Sequence, residues 1–311
     1  MSAIIVVQNL TKSYGSSRGI IDVSFEVEEG EVFGFLGPNG AGKTTTIRTL
    51  MALLKADSGA ATIGGKDSWN DSVEIKQFTS YLPGELNLDP GLTGGQILAY
   101  FGNLRGGVDQ TYLKSLIDRF ELDTSRKFRQ YSTGNKRKIG IIQAFMAKPR
   151  LVILDEPTSG LDPLNQQEFM KLVAETRADG RTVFLSTHFL SEAEQTSSRV
   201  RIIREGKLVK VGSVAELKDI KRHDVTITFA GSTPTDVFKA LPDVASVEAL
   251  PDGHTLRLSA SGSVDAIIKA AAQYQVTSFA TQEPSLEEVF LRYYENDGAS
   301  QAPKEAAHVG N

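Results

Sequence analysis

Residues 37–45 read Gly37-Pro38-Asn39-Gly40-Ala41-Gly42-Lys43-Thr44-Thr45. A Gly-x-x-x-x-Gly-Lys-Thr run is a phosphate-binding loop. Its glycines let backbone N–H groups close around phosphate oxygens, the lysine reaches the β- and γ-phosphates, and the threonine hydroxyl can hold Mg²⁺. A second group of residues can act on what such a loop holds. Leu151-Val152-Ile153-Leu154-Asp155-Glu156 is an apolar run ending in two carboxylates, and the carboxyl ends of parallel strands face the ligand crevice. There Asp155 can reach Mg²⁺, directly or through water. Glu156 can accept a proton from an attacking water or orient it. His188 ends another apolar run, 182–187, and falls in the same crevice within reach of a γ-phosphate. This chemistry is hydrolysis of a nucleoside triphosphate.

The flanking residues supply the elements that must position these groups. Glu31-Val32-Phe33-Gly34-Phe35-Leu36 reads as a buried strand entering the loop, and 44–53 as the helix leaving it. The start of that helix turns unpaired N–H donors and the positive end of its dipole toward the phosphates. Asp22-Val23-Ser24-Phe25-Glu26-Val27 alternates with period two, as a half-buried strand does. Between about 86 and 147 the strand pattern gives way to helical spacing, broken at Gly106-Gly107, which reads as a helical insertion. Strand, helix (about 164–178) and strand then alternate, which indicates a parallel sheet covered on both faces.

Composition bounds the rest. The 311 residues suggest two domains. The net charge of −4, from 34 basic and 38 acidic residues, does not favour nucleic acid as a partner. The local basic run Lys136-Arg137-Lys138 reads as a solvated helix face. With no cysteine, neither a disulfide framework nor a thiolate metal site is available, which fits the cytosol. Met1-Ser2-Ala3-Ile4-Ile5-Val6-Val7 lacks a basic region and reads as a first strand rather than a signal peptide. No run of about 18 apolar residues occurs, so a role at a membrane needs another chain to hold this one there.

After Gly212 the pattern changes to strand (224–230), helix (235–241), strand (244–250), the turn Asp252-Gly253, strand (254–260), helix (264–273) and strand (276–281). That βαββαβ order is the ferredoxin-like split arrangement. A further helix over 285–295 follows, capped by Ser285, and the residues after about 297 have a disordered composition. The expected domains are therefore 1–220 and 223–296, with a tail over 297–311.

Tyr14, the loop 37–45, Tyr131-Ser132-Thr133-Gly134-Asn135, Asp155-Glu156, Ser159-Gly160-Leu161-Asp162 and His188 recur in an order that resembles the ATP-binding subunit of an ABC transporter. The resemblance covers about residues 4–217. It implies an α/β phosphate-loop ATPase with a RecA-like parallel core, an antiparallel β subdomain and a helical subdomain. It implies ATP and Mg²⁺ as cofactors. Tyr14 would stack on adenine, Lys43 would bind the β/γ-phosphates, and Thr44 with Asp155 would hold Mg²⁺. Glu156 would be the base and His188 the switch residue at the γ-phosphate. Ser132 and Gly134, ahead of a helix over 136–146, would act on nucleotide held by a second copy, with Asp162 across the seam. ATP would thus be sandwiched in a homodimer, which would drive a separate integral permease from the cytoplasmic face of the membrane through a groove beside 81–95.

The stretch Phe189-Leu190-Ser191-Glu192-Ala193-Glu194, the turn Ile202-Ile203-Arg204-Glu205-Gly206 and Glu283-Pro284-Ser285-Leu286-Glu287-Glu288-Val289-Phe290 resemble drug- and antibiotic-resistance exporters. In these the ATPase is a separate polypeptide with a small C-terminal domain, regulatory or dimerising. The chain departs from the family in four places. Gly84 stands where the family has a glutamine that touches Mg²⁺ and senses the permease. Tyr131, Thr133 and Asn135 replace leucine, glycine and glutamine. Gln77 lies too early to substitute for the glutamine, and Glu85 is a partial replacement that phosphates would repel. Two other readings compete. A soluble ATPase of the same type acting on ribosomes or DNA usually has two cassettes or long coiled coils, and this chain has one phosphate loop and no sustained heptads. A GTPase would need a guanine-reading Asn-Lys-x-Asp, which Asn135-Lys136-Arg137-Lys138 fails at its last position.

Overall fold

The computed structural model describes residues 2–15, 19–213, 222–261 and 263–282. The chain divides into two compact units between Ser213 and Val214. The first opens with β1 (Ala3–Ser13), β2 (Gly19–Glu28), β3 (Val32–Leu36), α1 (Lys43–Leu50), β4 (Ser58–Ile63), β5 (Lys66–Asp67), α2 (Ser72–Phe78) and β6 (Thr79–Leu82). Helices α3 (Gly94–Leu104), α4 (Gln110–Arg119) and α5 (Thr133–Phe145) follow. Then come β7 (Leu151–Asp155), α6 (Pro163–Ala178), β8 (Thr182–Thr187), α7 (Leu190–Thr196), β9 (Arg199–Arg204) and β10 (Lys207–Ser213).

Two sheets organise this unit. The larger runs β10-β9-β3-β8-β7-β6, parallel except for β10, and the smaller runs β2-β1-β4-β5, all antiparallel. All residues of β3, β7 and β8 are buried, as a sheet covered on both faces requires. Alternate β3 residues fill two different cores. Phe33 and Phe35 meet Phe25 and Phe184, with ring centroids 5.4–6.0 Å apart. Val32 packs in the other core with Leu154, Leu185 and the helical residues Leu98, Leu116 and Phe145. Truncating one of the buried phenylalanines to alanine costs about 3–5 kcal/mol.

The helices start where side chains satisfy their free N–H groups. Thr93 and Gln96 form a capping box on α3, Asp109 caps α4, and Asp162 caps α6 with Pro163 in the first turn. Ser132 caps α5 by accepting from Asn135 N–H at 3.3 Å. This helix therefore begins at Thr133, three residues before the expected start at 136.

The second unit contains β11 (Arg222–Phe229), α8 (Thr235–Lys239), β12 (Val244–Ala249), β13 (Thr255–Ser261), α9 (Asp265–Ala271) and β14 (Val276–Gln282). Its antiparallel sheet has the order β12-β13-β11-β14, the ferredoxin-like arrangement. Phe238 and Ile267 from the two helices bury against Val225, Ile227, Leu256 and Leu258. The expected helix over 285–295 and the tail over 297–311 lie outside the described residues. Among the described residues no helix is long and apolar enough to cross a membrane.

Candidate active site

The loop between β3 and α1 is shaped by close approaches that only glycine permits. Gly42 has φ +112° and stands at the N-terminus of α1. A Cβ on Gly37 would come 2.3 Å from the Ile203 carbonyl oxygen, so the loop can lie this close to β9 only with glycine there. Lys43 folds back over the loop and is 4 % exposed. Its ammonium donates to the carbonyl oxygens of Gly37 (2.6 Å) and Pro38 (3.1 Å) and stands 3.2 Å from Glu156 Oε1.

Asp155 is fully buried at the end of β7. Thr44 Oγ1 donates to its Oδ2 at 2.8 Å, and Ser186 Oγ donates to its Oδ1 at 2.6 Å. The parallel register of β7 and β8 sets Asp155 beside Ser186. Glu156 then turns the chain away from the sheet with φ +49°, a left-handed conformation that costs a non-glycine residue on the order of 1 kcal/mol. Its N–H donates to the Ser186 carbonyl oxygen at 3.0 Å, and its carboxylate meets Lys43 on one side and His188 Nδ1, 3.4 Å away, on the other. The His188 ring also packs on Phe189, with centroids 4.0 Å apart.

Of these groups Lys43, Thr44, Asp155 and Glu156 line one cleft of about 530 Å³, and His188 stands beside it against Glu156. Asn39, Gly40, Gly42, Thr44 and Thr45 form its floor, Asp155, Glu156 and Ser159 one wall, and the half-exposed Tyr14 its rim. Pro38 and Ala41 shape the loop from behind, with Ala41 N–H donating to the Pro38 carbonyl oxygen and Ala41 accepting from Gly206 N–H. Gly84 and Glu85 close the remaining side. A Cβ on Gly84 would sit 3.3 Å from Asp155 Oδ2, so the loop backbone lies against that carboxylate.

Ser132, Gly134 and Asp162 do not line this cleft. Ser132 and Gly134 open α5, and Asp162 opens α6, where Asn165 N–H donates to it at 3.0 Å and holds its carboxyl below the usual range. The two helix starts touch each other's loops: a Cβ on Gly134 would be 2.7 Å from the Gly160 carbonyl oxygen. Tyr131 is buried, and its hydroxyl donates to the Asp123 carbonyl oxygen. It occupies the space beside Gly94, where a Cβ would come 2.5 Å from the tyrosine oxygen.

The basic run on α5 corrects the sequence analysis. Arg137 and Lys138 are buried, not solvated, at 6 % and 8 % exposure. Arg137 donates to the carbonyl oxygens of Pro83 (2.8 Å) and Gly84 (2.7 Å), and Lys138 donates to that of Phe120 (2.8 Å). Burial lowers the pKa of Arg137, while Asp155 and Glu156 raise it. Sequence reasoning also missed Ser186 and the buried Glu192. Thr187 Oγ1 donates to Glu192 at 2.5 Å, and burial pushes the Glu192 carboxyl up to about 7. The position of Ser186 in the second buried run was the one available signal for it.

A separate groove of about 490 Å³ opens on another face of this unit. Leu53, Val73, Gln77, Tyr81, Leu104 and Arg105 wall it, with Val73 and Leu104 at 74 % and 65 % exposure. Gln77 belongs to this groove and not to the cleft.

A strand, phosphate loop and helix facing paired carboxylates define the class of the protein: a phosphate-loop nucleotide hydrolase. Comparison with known proteins narrows it. The pattern of the ABC transporter family matches residues 20–159, and that of the ATP-binding protein DrrA1-3-like C-terminal domain matches residues 212–294. The doxorubicin resistance ATP-binding protein DrrA of Mycobacterium tuberculosis is 33 % identical over 92 % of this chain and 92 % of its own. The linearmycin resistance ATP-binding protein LnrL of Bacillus subtilis is 32 % identical, covering 91 % and 96 %. A solved ATP-binding subunit of an ABC transporter superposes with a TM-score of 0.64 at 29 % identity, over 70 % of this chain and 92 % of that one. A dimeric ATP-binding cassette in a post-hydrolysis state with ADP and phosphate shares the fold, with a TM-score of 0.60 at 22 % identity, covering 68 % and 98 %.

The chain belongs to the ATP-binding subunits of ABC transporters and is an ATP hydrolase of that family. Such subunits bind nucleotide, pair with one another and work with a membrane permease.

Proposed function

We propose that this chain energises a separate permease that exports a drug, an antibiotic or a lipid, and that it does so as an ATP-sandwiched homodimer on the cytoplasmic face of the membrane. The observation that carries the catalytic part is one cleft lined by Lys43, Asp155 and Glu156, with His188 Nδ1 3.4 Å from the Glu156 carboxylate. The resistance proteins that match over more than nine-tenths of the chain support the export reading.

In this reading Tyr14 stacks on adenine at the rim. The backbone N–H groups of residues 37–45 and the Lys43 ammonium hold the β/γ-phosphates. Mg²⁺ suits the oxygen pair of Thr44 and Asp155, because this ion takes one or two protein oxygens and completes its shell with phosphate and water. When bound it offsets phosphate charge. Glu156 takes the proton of the attacking water, and His188 steadies the γ-phosphate and the Glu156 carboxylate. Ser132 and Gly134 face the nucleotide of the second copy, where the N-terminus of α5 suits an anion, and Asp162 lies across the seam. Nucleic acid has no part in this reading, in keeping with the acidic balance.

The permease docks in the groove walled by Val73 and Leu104, whose exposed apolar side chains suit a partner surface. The cassette spans residues 1–220, and the domain over 223–296 dimerises the subunit or regulates its closure. Affinity purification from membranes tests the whole reading. Recovery of an integral membrane partner, with ATPase activity in the complex, supports it. Recovery with ribosomes and no membrane partner overturns it in favour of a soluble ATPase.

A further inference from the structure

Where the loop after β6 lies against Asp155 it presents Gly84, which has no side chain to turn toward that carboxylate; Glu85, the next residue, also lines the cleft. What the loop contributes at Gly84 depends on where its backbone is held. The parallel register pairs Leu82 with Leu154, so Pro83 and Gly84 emerge level with the two carboxylates. Two adjacent carbonyl oxygens, of Pro83 and Gly84, accept from the two terminal nitrogens of the Arg137 guanidinium at 2.8 and 2.7 Å. A planar guanidinium bonded this way fixes the direction of both peptide groups, which a lysine with a single ammonium cannot do.

Arg137 lies five residues past Ser132, about one and a half turns into α5. At its start the same helix abuts the Gly160 carbonyl oxygen through Gly134. One helix therefore touches both loops beside the carboxylates, 83–84 and 159–160.

We infer that Arg137 is a positioning residue that ties the start of α5 to the Gly84 backbone beside Asp155, so that engagement of α5 by the second copy sets the geometry of hydrolysis in its own chain. The inference rests on the proposed sandwich, in which the start of α5 meets the partner's nucleotide. The guanidinium touches no phosphate in this arrangement. It acts through the backbone of the loop, and its loss changes turnover rather than nucleotide binding.

The test compares the full chain with Arg137→Met, Arg137→Lys and Lys138→Met. Lys138 is the neighbouring buried cation, hydrogen-bonded to the Phe120 carbonyl oxygen and not to the 83–84 loop, so it reports what losing a buried cation of the same helix does. For Arg137→Met the expected result is a kcat lower by about 10-fold or more, with the ATP dissociation constant within about threefold and a Hill coefficient falling toward one. Lys138→Met is expected to lower the melting temperature and leave kcat within about twofold. Equal losses of kcat in Arg137→Met and Lys138→Met overturn the inference, as does a normal kcat and Hill coefficient in Arg137→Met. If Arg137→Met does not fold, Arg137→Lys decides, with the same loss of kcat expected. A folded lysine variant with normal kcat, or failure of both variants to fold, makes the group structural only and overturns the inference. An unsubstituted chain that neither hydrolyses ATP nor pairs contradicts the function itself. An active, pairing chain indifferent to Arg137 contradicts only this inference.

Discussion

Lys43 and Glu156 form an ion pair, 3.2 Å from Nζ to Oε1, between the phosphate loop and the end of β7. His188 stands 3.4 Å from the same oxygen. The carboxylate is thus aimed into the cleft from both sides before any water is considered. Glu156→Gln keeps the shape of this contact and removes the proton acceptor. Turnover is expected to fall by about 10²–10⁴-fold, the range for lost general-base help. An ATP-bound dimer should accumulate, visible by size exclusion with Mg-ATP. Near-normal turnover in this variant would count against Glu156 as the base.

Lys43→Ala acts at the other end of that pair. It removes the ammonium that the carbonyl oxygens of Gly37 and Pro38 hold over the loop. Hydrogen bonds to charged groups contribute about 1.5–3 kcal/mol, so ATP binding should weaken by about 10- to 100-fold. Titration with a fluorescent ATP analogue measures this. Unchanged affinity would contradict a role for Lys43 at the phosphates.

Val73 and Leu104 separate coupling from catalysis. Both are mostly exposed on the groove, away from the cleft, so replacing them with glutamate should change stability by less than about 0.5 kcal/mol. The double variant Val73→Glu with Leu104→Glu is expected to hydrolyse ATP normally when purified alone and to lose its membrane partner. Pull-down from membranes checks this, and full retention of the partner would move the docking surface elsewhere.

The cleft was legible because its residues sit in contiguous runs at the ends of strongly apolar strands. The second unit was legible for a related reason: alternating apolar residues and the turn Asp252-Gly253 mark its strands, and its observed elements follow the expected order. What sequence reasoning missed depends on contacts across the chain. Ser186 reaches Asp155 only through the β7–β8 register. Lys136-Arg137-Lys138 looked solvated because three cations in a row usually are. Here α5 is packed among other helices, and the long stems of Arg137 and Lys138 carry their charges to backbone carbonyl oxygens. The start of α5 was placed three residues late because the capping chemistry of Ser132 was not considered.

Glu192 lies in α7 with 2 % exposure, and its pH dependence has a definite sign. Burial raises its pKa from 4.5 to about 7, against the hydrogen bonds from Thr187 and Thr158, with the Glu156 charge adding to the rise. Between those two values the folded chain holds a proton that the unfolded chain has lost. The contribution of this group to stability is therefore complete below about pH 4.5 and is lost as the pH rises through about 7. The difference is on the order of 3 kcal/mol. Glu192→Gln keeps the shape and an oxygen to accept from Thr187, and it carries no charge at any pH. Relative to the unsubstituted chain, the variant is expected to gain little in melting temperature at pH 5 and several degrees at pH 8. Thermal unfolding at both values measures the change, and a gap that stays constant with pH would show that Glu192 does not titrate in this range.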